Sequence, residues 1–322
     1  MFAARDLLVA GRYHERRIPR SLRADRRVGC EADIQRGMKI GAFALATEEM
    51  MSVFELAPLL EDAGFESFWV GDHSHIPTSR RTPAQGGGEL PEYYKQLLDP
   101  FVMLATAAAI TKTLRVGTNI CIIAQRDPIQ LAKEVASLDV LSGGRFSLGV
   151  GTGWNLEEME NHGTDPDTRF RAMHERIEAM KEIWTKDVAE YHGSIVSYES
   201  LWAYPKPVQK PHPPILMGAM GPNALKRVVK YADAWLPVHL LGRTPPGYLE
   251  PVSRIPELQR LAAEAGREVS VTLSVPAVID AAEVERLTEA GVERLIFWLP
   301  LGGEDVVAPM IEQLAPLIAQ FS

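Results

Sequence analysis

Two cysteines, Cys30 and Cys121, are all that this 322-residue chain contains, and aromatic residues make up only 7% of it. Two thiols cannot build a disulfide scaffold or a cysteine-rich metal site, so no metal is implied and a reducing cytoplasm is the expected compartment. No apolar run approaches the roughly 20 residues that a bilayer crossing needs. The longest, Phe101 to Ile110, is interrupted by Thr106. A Gly-x-Ser-x-Gly elbow is missing and neither cysteine sits in an obvious nucleophile context, so covalent hydrolysis has no support. The glycine run Gly149-Val150-Gly151-Thr152-Gly153 lacks the spacing of a dinucleotide fingerprint, and no P-loop lysine follows it. Net charge is −8, which makes nucleic acid a poor partner.

What is present is the composition of an ordinary globular protein, 46% hydrophobic and 24% charged. Charge is unevenly spread. The first 37 residues hold nine Arg, no Lys and five acidic residues, a net of +4 that leaves −12 for residues 38–322. Asp6, Glu15, Asp25, Glu31 and Asp33 argue against an organellar transit peptide, and no apolar stretch marks a secretory signal. Residues 1–37 are expected to be a disordered extension, with a single folded domain over 38–322.

From Met38 onward, short apolar runs alternate with helical patterns. A strand at 39–45 leads to Ser52 and Glu55, a capping box ahead of an apolar face of Val53, Phe54, Leu56, Leu59 and Leu60, with Gly64 placed to stop the helix. Further strands are expected at 65–70, 114–120, 145–151, 215–218, 233–238, 270–275 and 294–299. Helices are expected between them, at 99–110, 128–141, around 170–184, and at 222–230, 251–265, 281–289 and 305–320. Ala63-Gly64-Phe65-Glu66 ahead of one strand recurs as Ala290-Gly291-Val292-Glu293 ahead of the eighth, one period seen twice. Eight strand-helix units describe a (β/α)8 TIM barrel with insertions after strands 2 and 4, and a doubly wound open sheet is the alternative.

In a barrel, chemistry sits where the strands end. Asp72-His73 follow strand two and read either as hydrogen-bonding groups for a ring-shaped ligand or as a capped loop with a solvated imidazole. With His75 they make only a weak metal pattern. Glycines at 149–153 let backbone approach a flat ligand, or simply make a tight turn. Gly218-Ala219-Met220-Gly221-Pro222-Asn223 places Pro222 at a helix start, where free N–H groups suit a phosphate, or simply makes an ordinary turn into a Pro-initiated helix. Glu157 and Glu158 read as complements to a helix dipole.

At these residues the chain resembles the bacterial luciferase-like flavin and deazaflavin oxidoreductases, most closely their coenzyme F420-dependent branch. The resemblance rests on the run Gly64 to His73, on Gly117 to Ile120, on Leu131-Ala132-Lys133-Glu134 with Leu138-Asp139, on Ser142 to Arg145 leading into Gly149 to Trp154, and on Pro205 to Pro214. It implies a barrel holding a tricyclic flavin or 5-deazaflavin, with coenzyme F420 the expected cofactor and FMN the alternative. Asp72 and His73 would touch the ring edge or substrate, with His73 as the proton-transfer group. A non-prolyl cis peptide is implied at Asn119-Ile120, after Thr118, pressing on the ring. Gly151, Thr152 and Gly153 would approach the ring or ribityl chain, and Gly218, Ala219 and Gly221 the phosphate. Sugar-phosphate dehydrogenases of this kind carry a glutamate where Trp154 stands, which counts against glucose 6-phosphate and leaves Trp154 as either the wall of a hydrophobic substrate pocket or a core tryptophan at a helix start. Arg80, Arg81 and Arg126 are candidates for an anionic cofactor tail. The partner is a small-molecule substrate, homodimerisation is compatible with the sequence, and a reduced-FMN monooxygenase or a barrel used only for binding are the other readings.

The composition break generates the first prediction: a chain beginning at Met38 should match the full chain in thermal unfolding and in cofactor affinity, and a large loss in either would contradict it.

Overall fold

The computed structural model describes residues 37–84, 88–241 and 249–321. The expected extension falls outside this range except for Gly37, as do Gly86 and Gly87, where the sequence suggests a mobile loop. Every apolar run expected as a strand forms one. β1 (Lys39–Ala44), β2 (Ser67–Val70), β3 (Arg115–Thr118), β5 (Phe146–Gly151), β8 (Ile215–Met217), β9 (Ala234–Trp235), β10 (Ser270–Val275) and β11 (Arg294–Trp298) pair in parallel, and β11 returns to β1. The β3–β5 pairing completes the ring, so the sheet is a closed eight-stave barrel and the open doubly wound alternative is excluded. A two-residue β4 (Cys121–Ile122) prolongs the third stave along β5.

Helices α1 (Val53–Asp62), α2 (Pro100–Ile110), α3 (Pro128–Leu141), α4 (Leu156–Asn161), α5 (Arg169–Thr185), α6 (Ala224–Tyr231), α7 (Ile255–Glu264), α8 (Ala281–Glu289) and α9 (Glu304–Phe321) occupy the connections. Their starts follow from side-chain caps: Ser52, Asp99, Asp127, Asn155 and Asp280 each accept a bond from a backbone N–H of the first turn. Gly64 and Gly291, the repeated pair, both have positive φ, 88° and 93°, and each stops its helix just before a strand. On α1 the buried face is Val53, Leu56, Ala57 and Leu60. Phe54, expected inside, is 61% exposed, because it lies off the i, i+3, i+4 stripe that the other four define.

Two apolar layers result. The larger fills the space between staves and helices; the smaller lies inside the ring and comprises Phe43, Trp69, Leu216, Ala234, Leu236 and Ile296, with Leu45, Ile120 and Trp298 against it. Trp69 fills the ring because its neighbours are small: a Cβ on Gly117 would stand 2.4 Å from its ring, and Ser67 accepts its indole N–H at 2.7 Å. The insertion after β5 carries α4, α5 and an antiparallel hairpin of β6 (Ala189–His192) and β7 (Ser197–Leu201). Sequence patterning does not show this hairpin, since its strands alternate little and are mostly exposed. Among the described residues, no helix is long and apolar enough to cross a membrane.

One carboxylate fastens α1 to the entrance of β3. Glu61 accepts backbone N–H bonds from Lys112, Thr113 and Leu114 at 2.5–3.2 Å. Burial pushes its pKa up, but those bonds and the Thr113 hydroxyl outweigh it and hold the group down to about 2. A depressed carboxylate stabilises above its unfolded pKa and loses that contribution as pH falls toward the folded value. The Glu61→Gln variant should therefore show a flatter loss of stability than wild type between about pH 4.5 and pH 2, read by urea unfolding at stepped pH; identical acid limbs would contradict the role given to Glu61.

Candidate active site

All the sequence-indicated groups emerge at the carboxyl end of the barrel. The third stave breaks there. Thr118 donates its hydroxyl to the carbonyl of Gly149 at 2.7 Å, the Asn119–Ile120 peptide is cis as the resemblance implies, and the chain resumes as β4. Asn119 turns inward and donates to the Ser274 hydroxyl at 2.9 Å, which also accepts the Trp298 indole N–H at 2.6 Å. Ile120 points between two neighbouring staves. A Cβ on Gly151 would lie 2.8 Å from its Cδ1, and one on Gly218 would lie 2.9 Å from its Cγ2. The two glycines therefore make room for Ile120, and Ile120 is the apolar surface a flat ring would meet.

Asp72 and His73 leave the end of β2 in different directions. Asp72 is turned into the wall. Its oxygens accept from the Ile122 backbone N–H (2.9 Å) and from Arg126 Nε and Nη2 (3.1 and 2.9 Å), and its side chain is 3% exposed. The expectation that Asp72 touches a ring gives way to a different part: it fixes the backbone that carries Ile120. Arg126, a candidate for the cofactor tail, is committed to Asp72, Asp99 and Glu134 and lies 5.0 Å over the Phe101 ring. Arg81 pairs with Glu160, and Arg80 reaches the Thr82 carbonyl. Among the described residues, no three His, Cys, Asp or Glu side chains gather as a metal-holding group.

His73 is buried in an aromatic corner. Its ring meets Tyr94 edge-on at 5.4 Å and Trp154 at 5.7 Å, and these two meet at 5.9 Å. Burial pushes the Tyr94 phenol up to about 12, so it is neutral throughout the physiological range. His73 Nδ1 lies 2.7 Å from Glu158 Oε2, and its Nε2 accepts the Trp154 indole N–H at 3.2 Å. Glu158, read from sequence as a dipole complement, is instead a fully buried carboxylate and the partner of His73. Its neighbour Glu157 accepts from the backbone and hydroxyl of Thr82. Burial raises the Glu157 pKa, but the Thr82 bonds prevail and hold it down to about 2.

Gly153, with φ of 79°, brings the chain past Ile122 toward Trp154; Thr152 makes one long contact, hydroxyl to the Gly153 carbonyl, at 3.4 Å. After β8, the Ala219 carbonyl is taken by the Trp235 indole at 2.7 Å. No described residue lies within 4 Å of a Cβ built on Gly221, and the carbonyls of Gly221 and Pro222 are held by Arg254 at 3.2 and 3.3 Å. Arg254, which sequence reasoning did not single out, thus fixes the turn that begins α6. Among the described residues Asn223 makes no side-chain cap there, and the first N–H of α6, that of Ala224, donates to the Gly221 carbonyl at 2.9 Å. A hollow of about 590 Å³ opens at the rim between His239, Glu250, Glu283 and Arg286.

The residues fit a flat ring carrying a phosphate: an apolar floor at Ile120, a buried imidazole on the β2 side and, among the described residues, a helix start without a side-chain cap after Gly221. A closed (β/α)8 barrel with its polar groups at the mouth of the staves is an architecture that hosts enzymes of many chemistries. The chain belongs to the luciferase-like monooxygenase family, whose model matches residues 38–318. It is 37% identical over 289 residues to an uncharacterized protein of Mycobacterium tuberculosis, covering 88% of this chain and 99% of that one. It is 29% identical over 174 residues to the oxygenase component of a flavin-dependent trigonelline monooxygenase from Acinetobacter baylyi, 53% of this chain and 44% of that protein. An F420-dependent secondary alcohol dehydrogenase in complex with an F420-acetone adduct superposes with a TM-score of 0.68 at 20% identity, over 87% of this chain and 98% of that one.

Removing Asp72 takes the acceptor from the buried Ile122 amide and leaves Arg126 with the more exposed carboxylates of Asp99 and Glu134. Asp72→Ala should lower unfolding stability by about 3 kcal/mol, near the lower bound for breaking a buried pair, and adding Arg126→Met should recover part of it. Urea denaturation of the two variants decides this; an unchanged midpoint in Asp72→Ala would show that the carboxylate does not hold the wall.

Proposed function

We propose that this protein is an oxidoreductase that binds coenzyme F420 in the barrel mouth and catalyses hydride transfer to or from a small organic substrate. The observation that carries the reading is the coupling of Ile120 to His73: the Asp72 bond to Ile122 ties the segment forming the apolar floor to the residue preceding the imidazole. The motif set along the chain supports the deazaflavin over the flavin. When bound, the deazaflavin supplies a two-electron hydride donor or acceptor at ring carbon five.

The protein's own groups do the rest. Ile120, packed against the inner cluster that contains Phe43, Trp69 and Leu236, would support the ring. The start of α6, braced by Arg254, would take the phosphate, and the Gly151 to Gly153 backbone would approach the ring or its chain. Trp154 and Tyr94 wall an apolar substrate space and exclude water from His73. His73 gives or takes the proton that accompanies hydride transfer, through a ring nitrogen.

The similarity to the flavin-dependent trigonelline monooxygenase favours a second reading, in which reduced FMN occupies the same mouth and the reaction is a monooxygenation. Fluorescence titration of the full chain with F420 and with FMN separates the readings. Saturable binding of F420 at lower concentration than FMN is expected. Preference for FMN moves the assignment to the monooxygenase, and binding of neither leaves a barrel without cofactor chemistry.

A further inference from the structure

The surroundings of His73 determine more than its place. Among the described residues each ring nitrogen has one partner, and the partners are of opposite kinds. An indole N–H can only donate, so the bond from Trp154 Nε1 requires a lone pair on His73 Nε2. An ionised carboxylate can only accept, so Glu158 Oε2 at 2.7 Å requires the proton on Nδ1. The two requirements agree on one neutral tautomer.

The second oxygen of Glu158 explains why a carboxylate stands here. Oε1 accepts the backbone N–H of Ser74 at 3.1 Å, while Asn155 accepts the N–H of Glu158 itself. Two donors, one fixed in the backbone and one on the ring, converge on a single buried side chain. Only a group with two acceptor atoms and no donor satisfies both. An amide of the same shape has one acceptor and would place an NH2 against one of them.

We propose that Glu158 is the positioning residue of the site: it holds His73 as the Nδ1–H tautomer and so makes Nε2 the atom through which the ring exchanges a proton, while Trp154 occupies that atom until a ligand donor displaces it. The inference rests on the reading of His73 as the proton-transfer group. Glu158 acts through the imidazole and touches no ligand.

The test is long-range 1H–15N correlation spectroscopy of the full chain labelled at histidine, with His73 assigned by the His73→Gln variant. Wild type should show Nδ1 protonated and Nε2 bare. In Glu158→Gln the Ser74 amide cannot turn away, so the variant oxygen stays with it and the NH2 faces His73; the ring should switch to the Nε2–H tautomer. Glu158→Asp keeps two acceptor oxygens and should keep the wild-type tautomer. Trp154→Phe should leave Nδ1 protonated. A wild-type Nε2–H ring overturns the proposal, as does an unchanged tautomer in Glu158→Gln; should that variant not fold, the wild-type and Glu158→Asp spectra decide. F420 titration of the same samples is read separately: failure to bind F420 removes the functional reading, whereas a wrong tautomer with F420 bound removes only the role of Glu158.

Discussion

The mouth of this barrel depends on the carboxylate of Asp72. It is nearly excluded from water, a position that costs several kcal/mol unless the charge is matched and its lone pairs are filled. Both conditions are met by Arg126 and the Ile122 amide. The ion pair contributes little net stability of that kind by itself, but it fixes geometry: the end of β2, the resumption of the third stave at β4 and the start of α3 are held to one another. Everything placed at the mouth, Ile120 on one side and His73 on the other, inherits that positioning.

Volume does what charge does not. Ile120 can lie across the staves only because Gly151 and Gly218 present no Cβ to it, and Gly149 passes so close to Thr118 that an added Cβ would sit 1.9 Å from its carbonyl oxygen. The glycines of the fourth and fifth staves thus have a packing cause on this chain. Gly221 is the exception, since none of the described residues lies within 4 Å of where its Cβ would be.

The barrel was legible because its signal is a repeat: apolar runs, caps and stop glycines recur along the chain, so errors at single boundaries do not accumulate. The expected helices 128–141 and 281–289 and strand 270–275 coincide with α3, α8 and β10. What could not be read were polar pieces without a period, the β6–β7 hairpin and the six-residue α4. Asp72 and His73 looked like one functional pair because they are adjacent. Adjacent residues in extended chain leave on opposite sides, and the structure gives them partners 54 and 85 residues away. Glu158 carried one local sign, its place three residues after the cap Asn155, the spacing of a capping box. In a box the glutamate turns back to the cap. Here its side chain goes to Ser74 and His73, and no local pattern encodes that diversion.

The same consideration explains why two consecutive glutamates open α4. Neighbouring positions on a helix point about 100° apart, so Glu157 and Glu158 reach two different parts of the segment that follows β2. Glu158 takes its beginning at His73 and Ser74; Glu157 takes Thr82, eight residues after Ser74. The segment is therefore fastened at both places to one helix turn, and that turn follows Trp154 directly in the chain. The imidazole, its donor and its acceptor come from two staves only, held by side chains within five consecutive residues, 154–158. A site assembled that way fixes the ring's orientation locally, because the bonds that define it all lie inside the clamp.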